Sequence, residues 1–385
     1  LVPVFIGLKS SDWRLGLFAF AIAIGYVPWT SGGATVPRWA LMALTPLFLC
    51  GKARWTAAHW VGLGLIVYSF ASIAWSDNIA DSMGFLCQLV LLGLAFSLGT
   101  RLQNLAPAAL GFGLGLQFCG AATIYQHFID QRLFPSSMTI NSGLFINCDI
   151  AAEVSALVFV WLICERLWWL LPGLLPMLIW GQSRTAWAMI AGAAIVWVWK
   201  RDRIVACCVC IMILSGIFAL FATGFKGGSE INERFGIWRD TFAGITWFGH
   251  GIGSFQTAFP YYADHFDTMM RHADYAHSDI LQTVFELGIG SVFLFAFLGL
   301  CLTGQDETAK LVFIAFCLCL LGDFPLRTPM APFIGALVAG RLCQSVPDLR
   351  DVFVSCRNHL SDQLFGARRN EGGNTRIRGR GIVPV

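Results

Sequence analysis

Apolar residues run along this chain in long unbroken blocks separated by short polar breaks. The pattern is neither the 3.6-residue stripe of a soluble amphipathic helix nor the alternation of a half-buried strand. The blocks fall near residues 15–29, 38–50, 59–75, 83–99, 105–125, 149–164, 167–182, 184–199, 203–223, 277–302, 309–322 and 328–345. Such blocks predict membrane-spanning helices, about twelve in all at roughly 20 residues each, although several are short for a bilayer. Trp29, Trp39, Trp60, Trp75 and Trp199 stand at block ends, where an indole suits the headgroup layer. The expected fold class is therefore an all-α polytopic membrane protein. Two stretches depart from the pattern. Residues 224–276 are polar with scattered aromatics and predict one large loop between helices 9 and 10. Residues 346–385 are basic and rich in Gly and Arg, and predict a disordered tail drawn to anionic lipid headgroups. The chain thus divides into helices 1–9 (1–223), the loop (224–276), helices 10–12 (277–345) and the tail (346–385).

Composition agrees with lipid as the solvent. Hydrophobic residues make up 56% and charged residues 13%, against roughly a quarter charged in a soluble domain. The mean hydropathy is +0.66. The net charge of +3 is small, so placement matters more than total. Segments on one side of the expected membrane hold Lys9, Arg14, Lys52, Arg54, Arg101, Arg166, Lys200, Arg201, Arg203 and Lys310; those on the other hold Arg38, Arg132, Arg184 and Arg327. The more basic side is cytoplasmic. That places the N-terminus and the tail inside and the 224–276 loop outside. The layout depends on a hairpin at Glu165–Arg166, because merging the two flanking blocks would invert everything downstream. The first block follows Lys9 and Arg14 without a small-residue cleavage site and is read as a retained anchor. The 13 cysteines lie almost all in apolar blocks or on the basic side and read as buried free thiols. A nucleic-acid partner is not expected, since the basic tail lacks interleaved aromatics.

Three features on the outer side carry candidate chemistry. Gly181-Gln-Ser-Arg184-Thr forms a tight turn between two blocks, and an arginine beside lipid either snorkels or meets an anion. Glu233-Arg234-Phe-Gly-Ile-Trp238-Arg239-Asp240 reads as an interfacial helix, followed by the series Gly249, Gly251 and Gly253, a weak phosphate signal with no strand before it. His277-Ser278 opens the tenth block. Eleven residues separate His277 from Gly288, close to three helical turns, so the two are expected on one face with Glu286 nearly opposite. Asp274 is expected to orient the imidazole if the helix begins there. No metal or other cofactor is expected. His272 and His277 are five apart, and no His-Glu-x-x-His or paired-cysteine motif is present.

At these residues the chain resembles the O-antigen ligase and polymerase family of membrane glycosyltransferases. Asn141-Ser-Gly143-Leu-Phe-Ile-Asn147-Cys-Asp149 is similar to the family's Gly/Asn-rich lead into the sixth span. Ser183-Arg184 is similar to its arginine at the end of the seventh. Arg234-x-x-x-Trp238 with the following Gly-x-Gly-x-Phe resembles the start of its large loop, and His277-Ser278 through Leu281, Gln282, Glu286 and Gly288 resembles its histidine motif. The resemblance implies a glycan donor on undecaprenyl pyrophosphate and an acceptor sugar hydroxyl, on lipid A–core for a ligase. It implies a multi-pass protein among the lipids of the bacterial inner membrane, with its site facing the periplasm. Arg184 and Arg234 would stabilise the pyrophosphate leaving group without a metal, and His277 would take the acceptor's proton. Direct displacement would invert the anomeric centre. Arg239, Arg327, Trp238, Asn147 and Asp274 are lesser candidates for substrate binding. A polymerase or a protein O-oligosaccharyltransferase would share this apparatus. A non-catalytic transporter of lipid-linked glycans would instead place ionisable groups near mid-membrane, where only Glu153 and Glu286 lie here.

Overall fold

The computed structural model describes residues 10–26, 35–49, 55–129, 141–145, 147–203, 228–263 and 273–346. The ninth apolar block, the basic tail, Arg132 and His272 lie outside the described residues. Those described are helical, with no strand. In chain order they form α1 (Ser10–Ile24), α2 (Thr35–Met42), α3 (Ala57–Ser72), α4 (Ile79–Gly99), α5 (Ala106–Phe128), α6 (Cys148–Cys164), α7 (Leu175–Gly181) and α8 (Arg184–Trp199). After these come α9 (Gly228–Ala243), α10 (Asp279–Leu287), α11 (Val292–Leu302), α12 (Glu307–Gly322) and α13 (Met330–Cys343).

Four helical stretches are long and apolar enough to cross a membrane: Ala57–Trp75, Ile79–Gly99, Ala106–Phe128 and Asp279–Leu302. Other expected spans are broken, and the last of these four is interrupted at Gly288. Block 38–50 is the eight-residue α2 followed by a 3₁₀ turn at Thr45–Phe48, where Pro46 withholds an amide hydrogen. Block 167–182 is a 3₁₀ turn at Trp168–Gly173, containing Pro172, followed by the seven-residue α7. The hairpin at Glu165–Arg166 is present: α6 ends at Cys164, and Arg166 turns the chain with φ +60°.

Polar residues ahead of the apolar runs start the helices by capping orphan amides. Asn147 accepts from Asp149 N (2.8 Å), Ser183 from Ala186 N (3.3 Å), Ser278 from Leu281 N (3.4 Å) and Asp306 from Ala309 N (3.0 Å). α6 is the axle of the bundle. Its Ala151, Val154, Leu157, Val158 and Trp161 are wholly buried, and α5, α7, α8 and α12 surround it. Small residues set the closest pairings. A Cβ on Gly111 would lie 2.0 Å from Gly16 O where α5 crosses α1, and one on Gly99 would lie 2.0 Å from Leu337 O where α4 meets α13. α3 and α4 are the outer elements, with Val67, Phe70 and Val90 exposed as lipid-facing residues would be. Between α3, α4, α11, α12 and α13 lies an apolar cavity of about 310 Å³, lined by Ile66, Leu89, Phe96, Leu294, Phe316 and Ala336 among others.

The two ends of the bundle differ in charge. At one end stand Arg101, Arg166, Lys200 and Arg201, with Lys200 paired to Glu307 and Arg341 Nε donating to Asp306 at 2.8 Å. The other end carries the starts of α4, α6, α8 and α10. Arg38, read from sequence as an outer-loop charge, is only 2% exposed at this second end. It donates to Ile22 O (3.1 Å) and Ala23 O (2.8 Å), the last carbonyls of α1, and its guanidinium lies 4.1 Å over Phe145. The negative end of a helix dipole and an aromatic face together accommodate a cation that has no acidic partner among the described residues.

The tenth block departs furthest from expectation. His277 lies outside the helix, in left-handed backbone (φ +50°), and Ser278 caps α10. Gly288 (φ +52°) ends α10, and a 3₁₀ turn leads into α11. Three helical turns do not connect His277 to Gly288, so the shared face predicted for them does not exist. A Cβ on Gly288 would lie 2.3 Å from Trp247 O. Gly288→Ala is therefore expected to destabilise the protein by about 2–4 kcal/mol, from backbone strain plus overpacking. Thermal unfolding in detergent measures this, and an unchanged melting temperature would contradict the tight junction described.

Candidate active site

At the less basic end a polar cavity of about 230 Å³ opens among the starts of α6, α8 and α9 and the turn before α10. It is lined by Asp149, Gln182, Ser183, Arg184, Thr185, Glu233, Arg234, Ile237 and His277. Arg184, Arg234 and His277, drawn from segments up to 93 positions apart, border one space.

Local structure explains how each arrives there. Gln182, in left-handed backbone (φ +52°), reverses the chain after α7, and Ser183 caps α8, so Arg184 occupies the first helical position. An anion arriving there would meet both the positive end of the α8 dipole and the guanidinium. Arg234, on α9, donates from Nη1 to Gly322 O at 2.9 Å, and its Nη2 lies 3.9 Å from Asp323 Oδ2. His277 is held from both sides. Trp238 Nε1 donates to Ala276 O (2.8 Å), Ala276 N donates to Gln282 Oε1 (3.1 Å), and Asp279 N donates to Asp323 O (3.0 Å).

Behind the imidazole stands Asp323, which the sequence reading did not single out. Its Oδ1 lies 3.5 Å from His277 Nδ1, a long contact of the kind that tightens when substrate binds. Burial pushes the Asp323 carboxyl up. The neighbouring His277, Glu153 and Arg234 outweigh that and hold it below the ordinary carboxylate range. Asp323 is thus an anion, and an anion facing Nδ1 favours the tautomer with its proton there, leaving Nε2 able to accept one. Tyr275 stacks on Phe324 at 4.4 Å, and Phe324 meets the His277 ring edge-to-face at 5.3 Å.

The lesser candidates are placed differently. Asp274 accepts from Gln256 Nε2 at 2.6 Å and is exposed; the helix starts at Asp279, so the acid next to the imidazole is Asp323. Arg327 lies away from the cavity. Its Nη2 donates to both oxygens of Glu286 (2.9 Å each), its Nε is 4.0 Å from Asp279 Oδ1, and its guanidinium covers Phe85 at 3.7 Å. Arg239 turns to the neighbouring Asp240, 3.2 Å away. Asn147 caps α6, and Trp238 supports the histidine turn. The glycine series is not at the cavity: Gly251 N donates to Glu286 O and Gly253 N to Glu286 Oε2, both at 2.8 Å, joining the loop to the end of α10. Asp149 and Glu233, also unforeseen, add acidic groups to the cavity wall. The signal for Asp323 was present in the sequence, as an acid ending an apolar block in Gly322-Asp-Phe-Pro.

Residues 169–296 match the family model described as O-Antigen ligase. That segment holds Arg184, Arg234 and His277; Asn147, Glu153, Asp323 and Arg327 fall outside it. No curated protein matches the chain.

Proposed function

We propose that this chain, which carries an O-antigen ligase family segment over residues 169–296, transfers a glycan from undecaprenyl pyrophosphate to a sugar hydroxyl on lipid A–core, at the periplasmic face of the inner membrane. The observation carrying this reading is the single cavity bordered by Arg184, Arg234 and His277. Its place at the end of the bundle away from Arg101, Arg166, Lys200 and Arg201 supports a periplasmic site, since short cytoplasmic segments collect Lys and Arg. The apolar cavity among α3, α4 and α11–α13 offers hydrocarbon a place within the depth of the membrane.

The chemistry proceeds as a direct displacement. The acceptor oxygen attacks the anomeric carbon while the bond from that carbon to the pyrophosphate oxygen breaks. The bonding pair leaves with the pyrophosphate, and the acceptor's proton passes to His277 Nε2. Arg184 and Arg234 meet the charge that grows on the departing phosphate, each charged hydrogen bond contributing about 1.5–3 kcal/mol net. Attack opposite the leaving group inverts the anomeric configuration. We assign the base to His277 and not to Asp149 or Glu233, because the imidazole has a carboxylate behind it to hold its tautomer and stabilise its protonated form.

The chain is best tested in hosts lacking either O-antigen ligase or O-antigen polymerase. Capped lipid A–core is expected in the first, with carrier-linked chains no longer than before in the second. Lengthened carrier-linked chains without capped core would make it a polymerase, and neither product would remove the transferase. Transfer is expected to persist in EDTA.

A further inference from the structure

One buried carboxyl beneath the cavity has no part in the displacement just described. Glu153 lies on α6 between Ala152 and Val154 and is 3% exposed. An acid at such a place costs several kcal/mol unless its polar atoms are satisfied, and here they are. Oε1 accepts from Ser183 Oγ and Oε2 from Cys319 Sγ, each at 3.4 Å, and the carboxyl beside it is that of Asp323, one turn further along the chain, whose N donates to Cys319 O. Ser183 caps α8 next to Arg184, and Asp323 faces both Arg234 and His277. One side chain therefore touches both halves of the site.

Two carboxyl groups in contact inside a protein cannot both be ionised; a proton stays between them. Asp323 faces a guanidinium and an imidazole, so it carries the charge, and Glu153 supplies the O–H. Resting on the transferase reading above, we infer that Glu153 is a positioning residue: its O–H clamps Asp323 against His277, and its other lone pairs anchor the turn that presents Arg184. The titratable and charged groups facing this pair are Cys319 on α12, Asp149 one turn earlier on α6, Arg234 on α9, His277 before α10 and Asp279 at the start of α10. A hydrogen-bond donor is what the position requires, not a negative charge.

The test uses the full chain in proteoliposomes with a carrier-linked glycan donor, comparing Glu153→Gln, Glu153→Ala, Glu153→Leu and Arg234→Ala. The glutamine amide still donates to Asp323, so Glu153→Gln is expected within about threefold of wild-type turnover, with the same pH profile. Glu153→Ala and Glu153→Leu are expected to lose turnover by about 10–100-fold with little change in donor KM, and the acid limb of their pH profile is expected to move as the imidazole loses its fixed partner. Leucine fills the space, so a matching loss in Glu153→Leu at an unchanged melting temperature separates positioning from packing. Wild-type turnover and pH profile in Glu153→Leu would overturn the inference, as would a Glu153→Gln variant as slow as Glu153→Ala. Full activity in Arg234→Ala would instead overturn the transferase site itself.

Discussion

Replacing Arg234 with alanine is expected to lower glycan transfer by about 10²–10³-fold, the usual consequence of removing one fixed donor from developing negative charge. The guanidinium reaches the cavity from α9 while anchored to Gly322 O at 2.9 Å and facing Asp323 at 3.9 Å. Its position is therefore set before substrate arrives, and no reorganisation accompanies the reaction. Since Arg234 acts on charge that appears as the bond breaks, turnover falls more than donor affinity. Arg234→Lys keeps the charge but loses the planar fork and is expected to fall between the two. Immunoblots of membrane fractions should show wild-type amounts of both variants, because a side chain about a third exposed contributes little to the core. Lipopolysaccharide banding like wild type in Arg234→Ala would show that the cavity is not where transfer occurs.

His277→Ala is expected to reduce transfer by about 10²–10⁴-fold, the range for a lost general base. Alanine brings a complication, because residue 277 sits at φ +50°, where any side chain is strained. His277→Gly is the cleaner comparison: glycine takes that backbone readily and removes only the imidazole. Both variants should be equally slow, with exogenous imidazole restoring part of the rate. A His277→Gly protein turning over near the wild-type rate would pass the role of base to Asp149 or Glu233. With His277 in place, Asp323 is the charged partner of the pair. Its folded-state carboxyl is depressed, so its stabilising contribution is fully present above the ordinary carboxylate value of 3.8 and is lost only as pH falls through the lower folded value. Loss of activity near neutral pH therefore does not come from Asp323.

Reading along the chain singles out the groups whose signal is local. An arginine at a turn between two apolar blocks, an arginine four residues before a tryptophan, and a histidine–serine pair opening a block each stand out within a short window. Asp323 did not, because its meaning depends on α12 ending beside a turn 46 positions earlier in the chain. Arg327 is a substrate-binding candidate in the sequence for the converse reason. An arginine at the outer end of a block looks the same in sequence whether it meets a ligand or the buried Glu286 and Asp279. Hydropathy likewise identified helical, lipid-compatible segments but did not separate unbroken spans from short helices. Pro46, Pro172 and Gly288 interrupt the backbone ladder without lowering the apolar count around them.

The interruption at Gly288 has a mechanical outcome. Nine residues are too few to persist as a helix unaided, so α10 borrows its order from what grips its two ends: the Asp323 carbonyl at the start and, just past Gly288, the Trp247 carbonyl on Ile289. The imidazole consequently rides on a small rigid block jointed to the lipid-embedded α11.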